Sequence, residues 1–122
     1  MKKEPLVIID GSHNPEGVLN LTKSLQNVIE NRELHVLFAC FKDKNIERML
    51  AYLGEYSKDI TLTTFPHKRA RTEDDYFLFL DDHAFKEDAV ITLKELEELY
   101  PNDAILVTGS LAFAAYMKNY IK

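Results

Sequence analysis

Four short stretches of this sequence gather residue types that can do chemistry. Asp10-Gly11-Ser12-His13-Asn14 sets a carboxylate three residues from an imidazole. A carboxylate at a strand's end can accept hydrogen bonds from ribose hydroxyls, and a histidine beside it can stack on a base or bond a phosphate. The same stretch also reads as a turn into a helix. Asn14 is a good N-cap, Pro15 suits the first helical position, and Gly11 permits a backbone turn closed to other residues. Aspartate is itself a common turn residue. Lys42-Asp43-Lys44-Asn45 offers two ammonium groups, or simply a solvated loop with Asn45 capping a helix. His67-Lys68-Arg69-Ala70-Arg71 could hold an anion, or offset the acidic Glu73-Asp74-Asp75. Thr108-Gly109-Ser110 ends an apolar run. Ser110 can cap the helix that follows, or the first N–H groups of that helix can hold an anion.

Other chemistries are set aside by spacing. There is no GxxxxGK[ST] loop and no GxGxxG after the first strand, so the chain lacks its own P-loop and a dinucleotide fingerprint. Cys40 follows a strand as a phosphatase cysteine would, but the Cys-x5-Arg pattern fails because position 46 is Ile. Cys40 is therefore read as a small buried residue. His13, His35, His67 and His83 show no HxxxH or HxH spacing, so no metal site is expected. No Ser-His-Asp order stands out, and no catalytic nucleophile is assigned.

The elements that must position these stretches alternate in period. Leu6–Ile9, Leu34–Phe41, Ile60–Phe65 and Ala104–Thr108 are apolar or β-branched runs that read as strands. Val18, Leu21, Leu25 and Val28 recur at helical spacing, as do Ile46, Met49, Leu50 and Leu53. Thr92–Tyr100 and Leu111–Ile121 read as further helices, with Pro101-Asn102-Asp103 as a turn. Asp74–Leu80 is open between a short helix and a strand. Continuous apolar strands alternating with amphipathic helices imply an α/β fold. The expectation is a Rossmann-like three-layer sandwich, a mostly parallel sheet with helices on both faces. Ligands of such sheets bind beyond the carboxyl ends of the strands, which is where all four chemistry-bearing stretches fall.

Composition bounds the partners. The 122 residues fit one domain, 46% hydrophobic and 29% charged. A net charge of −5 disfavours phosphate-backbone binding, so no nucleic acid is expected. No apolar run nears the roughly 20 residues of a membrane helix, so no membrane is expected. A lone cysteine fits a reducing, cytoplasmic setting. A monomer is expected.

These stretches carry a family likeness. "IIDGSHNPEG" resembles the "LDGAHNP-x-G" motif of folylpolyglutamate synthases and dihydrofolate synthases, members of the Mur ligase superfamily. "LFACFKDKN" resembles their "FGxxxDKD", "TTFPHKRA" their strand with "P-x-x-R-A", and "ILVTGSLAF" their "VLVTGSLYL". The four motifs stand in family order and cover nearly the whole chain. Ser12, Ala39, Asn45 and Ala112 depart from the usual Ala, Gly, Asp and aromatic residue.

The resemblance implies that residues 1–122 are a single Mur ligase-type C-terminal domain. It places an N-terminal P-loop domain, with the Mg²⁺ ligands and much of the folate site, outside this chain. A "PGR" motif expected shortly before the first strand is also missing from Met1-Lys2-Lys3-Glu4. The implied reaction is ATP-dependent addition of L-glutamate to a folate or dihydropteroate carboxylate through an acyl phosphate. Asp10 and His13 would then contact the adenosine part of ATP. Ser110, Lys42, Asp43 and Lys44 would lie at the substrate side of the domain interface. Two other readings stand beside this one, a stand-alone nucleotide-binding module and a receiver-like signalling module. The receiver lacks support at Asp10, which has no paired acid, and at Pro66-His67, where a phosphorylatable aspartate would stand.

Overall fold

The computed structural model describes residues 4–120. Five strands form its sheet: β1 (Leu6–Ile9), β2 (Leu34–Phe38), β3 (Asp59–Thr63), β4 (Ala84–Lys86) and β5 (Ala104–Thr108). They lie in the order β1-β5-β2-β3-β4, and every neighbouring pair is parallel. All five residues of β2 and of β5 are buried, as strands covered on both faces must be. A receiver-type sheet, ordered 2-1-3-4-5, keeps its first strand inside, whereas here β1 is an edge.

Four helices complete the layers: α1 (Pro15–Ile29), α2 (Ile46–Tyr56), α3 (Ala89–Leu99) and α4 (Leu111–Lys118). Side chains alternate across a strand, and that alternation divides the core in two. Val36 and Phe38 of β2 pack with Val18, Leu25, Met49 and Leu53 of α1 and α2. Leu37, between them, packs on the opposite side with Leu93 of α3 and with Phe113 and Met117 of α4. The sheet is thus sandwiched by two helix layers, and the expected architecture is found.

The differences lie where periodicity carries little signal. Apolar Ala39 and Cys40 stay buried but leave the ladder, so β2 ends at Phe38. Residues Glu73–Phe79 form a 3-10 helix, and the edge strand β4 follows it with only Phe85 half-buried. Helix α3 starts three residues before the expected Thr92, because the Asp88 carboxylate caps it at the Ile91 N–H, 3.0 Å away. The expected end of the last helix, Ile121, lies outside the described residues. Among the described residues no helix is long and apolar enough to cross a membrane.

Candidate functional site

The parallel sheet sends the carboxyl ends of β1, β5, β2 and β3 to one edge, in that order. The loop after each carries one of the four stretches, so they stand side by side as Asp10–Asn14, Gly109–Ser110, Cys40–Asn45 and Pro66–Arg71. Backbone bonds join them. Asp10 N–H donates to the Val107 carbonyl at 3.0 Å, Ala39 N–H to Thr108 at 3.2 Å, and Lys42 N–H to Arg69 at 2.9 Å.

In the first loop, Asp10 is half-buried and its Oδ1 accepts from both the Ser12 N–H, at 2.8 Å, and the Ser12 hydroxyl. Ser12 therefore fixes the carboxylate, and Oδ2 is the oxygen left for a ligand. His13 is exposed, and its Nδ1 lies 3.2 Å from the Gly11 carbonyl. A carbonyl only accepts, so Nδ1 is the donor in this contact, and Nε2 makes no hydrogen bond among the described residues. Asn14 caps α1 through the Gly17 N–H at 2.8 Å, with Pro15 in the first turn. Gly11 does not need a left-handed backbone, contrary to the sequence reading. It is favoured by close approach, because a Cβ there would stand 2.7 Å from Leu111 Cδ1 and 3.3 Å from Leu111 Cα, so the leucine would have to turn aside.

The left-handed position belongs to Gly109, at φ +122°, where an added Cβ would run into the Ala39 carbonyl oxygen. That turn aims α4 at the edge. Ser110 is 3% exposed, and its Oγ accepts from the Ala112 N–H at 3.1 Å, so it caps α4.

The second and third loops are held by an arginine whose role the sequence did not reveal. Arg71 donates to three carbonyls: Asp75 at 2.7 Å, Lys44 at 2.8 Å and Lys42 at 3.3 Å. Its guanidinium lies over the Tyr76 ring at 5.9 Å. So Arg71 is a clamp rather than a free cation. Arg69 pairs with Asp43 at 3.2 Å and lies 4.5 Å over the Phe41 ring. Asp43 is thereby occupied, while Lys42 is exposed with only a 4.0 Å pairing to Asp75. Asp75 is held below the usual carboxylate range, first by the Thr72 N–H at 2.8 Å. Cys40 beneath this loop is fully buried, and burial pushes its thiol up to about 12 despite the nearby Arg71. It is no nucleophile.

Beside the third loop a cleft of about 460 Å³ opens between Lys42, His67, Lys68, Asp88 and Tyr116. Phe65 forms part of its wall and lies 6.0 Å from His67 and 6.2 Å from Tyr116, ring to ring. The edge therefore combines one oriented carboxylate, an exposed imidazole, two lysines and a capped helix start. Such a set can hold a hydroxylated, anionic ligand from one side. Among the described residues no three His, Cys, Asp or Glu side chains stand together to hold a metal.

A missed feature lies at the opposite edge. His35 of β2 is 2% exposed, between Asp59 at 3.0 Å and Asp103 at 2.9 Å, and is stacked 3.7 Å from the Tyr100 ring.

Comparison with known proteins bears on the chain as a whole. Residues 1–111 match the family model described as "Mur ligase, glutamate ligase domain". The chain is 28% identical over 125 residues to a dihydrofolate synthase/folylpolyglutamate synthase of Bacillus subtilis, covering all of this chain and 29% of that protein. A folylpolyglutamate synthase from Thermotoga maritima superposes with a TM-score of 0.80 at 26% identity, over 98% of this chain and 28% of the other. A Mycobacterium tuberculosis folylpolyglutamate synthase complexed with ADP and AMPPCP gives 0.79 at 24% identity, over 95% and 30%. The chain thus spans under a third of each of these relatives.

Proposed function

This chain belongs to the Mur ligase family as its glutamate ligase domain, and on that premise we propose that it serves an ATP-dependent amide ligase acting on folates. It is the C-terminal domain of that enzyme, and the P-loop domain precedes it in the longer protein. The observation that carries the reading is the Asp10–His13 turn, whose one free carboxylate oxygen and one free imidazole nitrogen point to a ligand outside this domain.

The chemistry runs in two steps. A folate or dihydropteroate carboxylate attacks the γ-phosphate of ATP and gives an acyl phosphate with loss of ADP. The amine of L-glutamate then attacks the acyl carbon, and phosphate leaves as the amide forms. In this reading Asp10 Oδ2 accepts from a ribose hydroxyl and His13 contacts the adenosine. Lys42 and Lys44, with Ser110 at the start of α4, line the side where glutamate enters, and Asp43 keeps its loop in register through Arg69. Mg²⁺, when bound, would neutralise charge on the phosphates. Among the described residues no three His, Cys, Asp or Glu side chains stand together, and the family resemblance would place the Mg²⁺ ligands in the P-loop domain.

A nucleotide clamped between two domains is oriented and dehydrated as they close. One half of the clamp supplies only part of the contact, so the isolated domain binds ATP weakly and does not turn over. The test is an ATP titration of the isotopically labelled chain, followed by NMR, with and without a P-loop domain fragment. Shifts at Asp10–Asn14, Lys42–Lys44 and Ser110 that strengthen with the fragment support the reading. Tight ATP binding without it would favour a stand-alone nucleotide binder, and ligation by the 122 residues alone would overturn the split clamp.

A further inference from the structure

The charge of this chain is unevenly placed. Residues 73–88 hold seven carboxylates against one lysine, Lys86, whereas the whole chain sums to −5. The rest is therefore slightly cationic, and the negative charge is concentrated in one lobe. Among the described residues only Asp75 of these seven has an ion pair, at 4.0 Å to Lys42. Among the described residues no cation pairs with the other six.

Two large apolar side chains stand in the middle of that lobe. Phe77 is 75% exposed and Leu78 is 80% exposed, consecutive residues of the 3-10 helix Glu73–Phe79. They are not a frayed end. Tyr76 just before them is fully buried and donates its hydroxyl to the Thr63 carbonyl at 2.9 Å. Arg71 holds the Asp75 carbonyl, and the Asp75 carboxylate takes both the N–H and the hydroxyl of Thr72. The backbone is anchored on both its buried side and its start, so the pair is presented outward by design of the turn. At the far end Asp82 and His83 line a cleft of about 420 Å³ with Asp59 and Tyr100, wide enough for a long side chain. Lys58 lies on the same cleft.

We propose that the Phe77–Leu78 knob and the carboxylates around it form a docking surface for a basic segment of another polypeptide. An apolar side chain of that segment covers Phe77 and Leu78, and its lysines or arginines face Asp74, Asp81 and Asp82. Charge complementarity selects this occupant: an acidic lobe steers cationic partners and repels anionic surfaces. A knob of exposed apolar groups ringed by charge is the arrangement in which a small anchor carries most of the binding. The proposal is independent of the nucleotide edge.

The experiment titrates the labelled chain with two short synthetic peptides of equal positive charge. One is a helical lysine–leucine peptide and the other replaces every leucine by serine. The expected result is amide shifts confined to residues 73–84 with the leucine peptide. Binding should weaken about tenfold in a Phe77→Ser, Leu78→Ser variant. It should weaken further with added salt and in Asp81→Asn, Asp82→Asn. Because these side chains are exposed, an unchanged thermal midpoint checks that both variants fold. Equal binding of the serine peptide, or shifts elsewhere on the chain, overturns the proposal. So does a phosphatidylcholine vesicle or a second copy of the chain covering the knob in place of the peptide.

Discussion

Leu111 closes over Gly11, with its Cδ1 where the glycine would carry a side chain, 2.7 Å from an ideal Cβ. This contact joins the loop after β1 to the start of α4, the two segments that bear Asp10, His13 and Ser110. A methyl at position 11 turns aside the Leu111 side chain, which is 69% exposed, and needs a shift of a few tenths of an ångström at Leu111 Cα, 3.3 Å distant. Gly11→Ala is therefore expected to cost about 1 kcal/mol of stability, the low end of the range for overpacking, because Leu111 can turn aside. It should also raise the KM for ATP in the full-length protein. Urea unfolding and steady-state kinetics measure the two, and a variant with wild-type stability and KM would show that the loops need no close approach.

The buried histidine predicts the opposite pattern. His35 ties β2 to Asp59 at the start of β3 and to Asp103 just before β5, and it stacks on Tyr100. These residues lie at the amino ends of the strands, away from the candidate site. His35→Leu fills similar space but leaves two half-exposed carboxylates without a partner. The expected loss is about 1–3 kcal/mol, read as a lower urea midpoint with unchanged slope. The KM for ATP should not change. A rise in KM without loss of stability would contradict this separation of scaffold from site.

Much of this was legible along the chain, and the parts that were not share a cause. β2, β3 and β5 are written as apolar runs because both faces of an inner parallel strand are covered, and the edge strand β1 is also a run of four apolar residues, though each is only half-buried. β4 has three residues and only Phe85 packs inward, too little for any period to register. The 3-10 helix before it is set by Arg71, Tyr76 and Thr63, contacts that no local pattern encodes. Asp10, His13 and Ser110 were readable as candidates because turn chemistry and strand ends flag them. The bridge of His35 rests on partners 24 and 68 residues away, and two of the three carbonyls clamped by Arg71 lie 27 and 29 residues away. Sequence separation hides such pairs, since a buried arginine and a loop arginine look the same in one dimension.

Acid should loosen the start of the 3-10 helix at Thr72. Asp75 ionises below the ordinary carboxylate value because the Thr72 N–H, first of all, holds its charged form. A carboxylate depressed in the folded state adds stability above its unfolded value of 3.8, and loses it as pH falls through the lower folded one. In Asp75→Asn, stability below about pH 4 should fall less steeply than in the unmodified chain. Thermal midpoints measured from pH 6 down to pH 2 test this, and parallel curves for the two proteins would remove Asp75 from the account.

The sharpest test of the nucleotide reading is at Asp10. Its Oδ1 is committed to Ser12, so the residue does two separable things. Asp10→Asn keeps an oxygen for the Ser12 N–H and hydroxyl, so the turn and the stability should survive. It replaces the outward oxygen by an NH2 group, which cannot accept from a ribose hydroxyl and carries no charge. Losing a charge-assisted hydrogen bond is worth about 1.5–3 kcal/mol, so the KM for ATP in the full-length protein should rise by about 10- to 100-fold. Ser12→Ala gives the converse: Oδ2 is still present but the carboxylate is no longer fixed, and a smaller rise is expected. His13→Ala should weaken ATP binding without moving the thermal midpoint, because that ring is exposed and touches only the Gly11 carbonyl. If Asp10→Asn unfolds the domain but leaves the KM of the surviving fraction unchanged, Asp10 is a turn residue and nothing more.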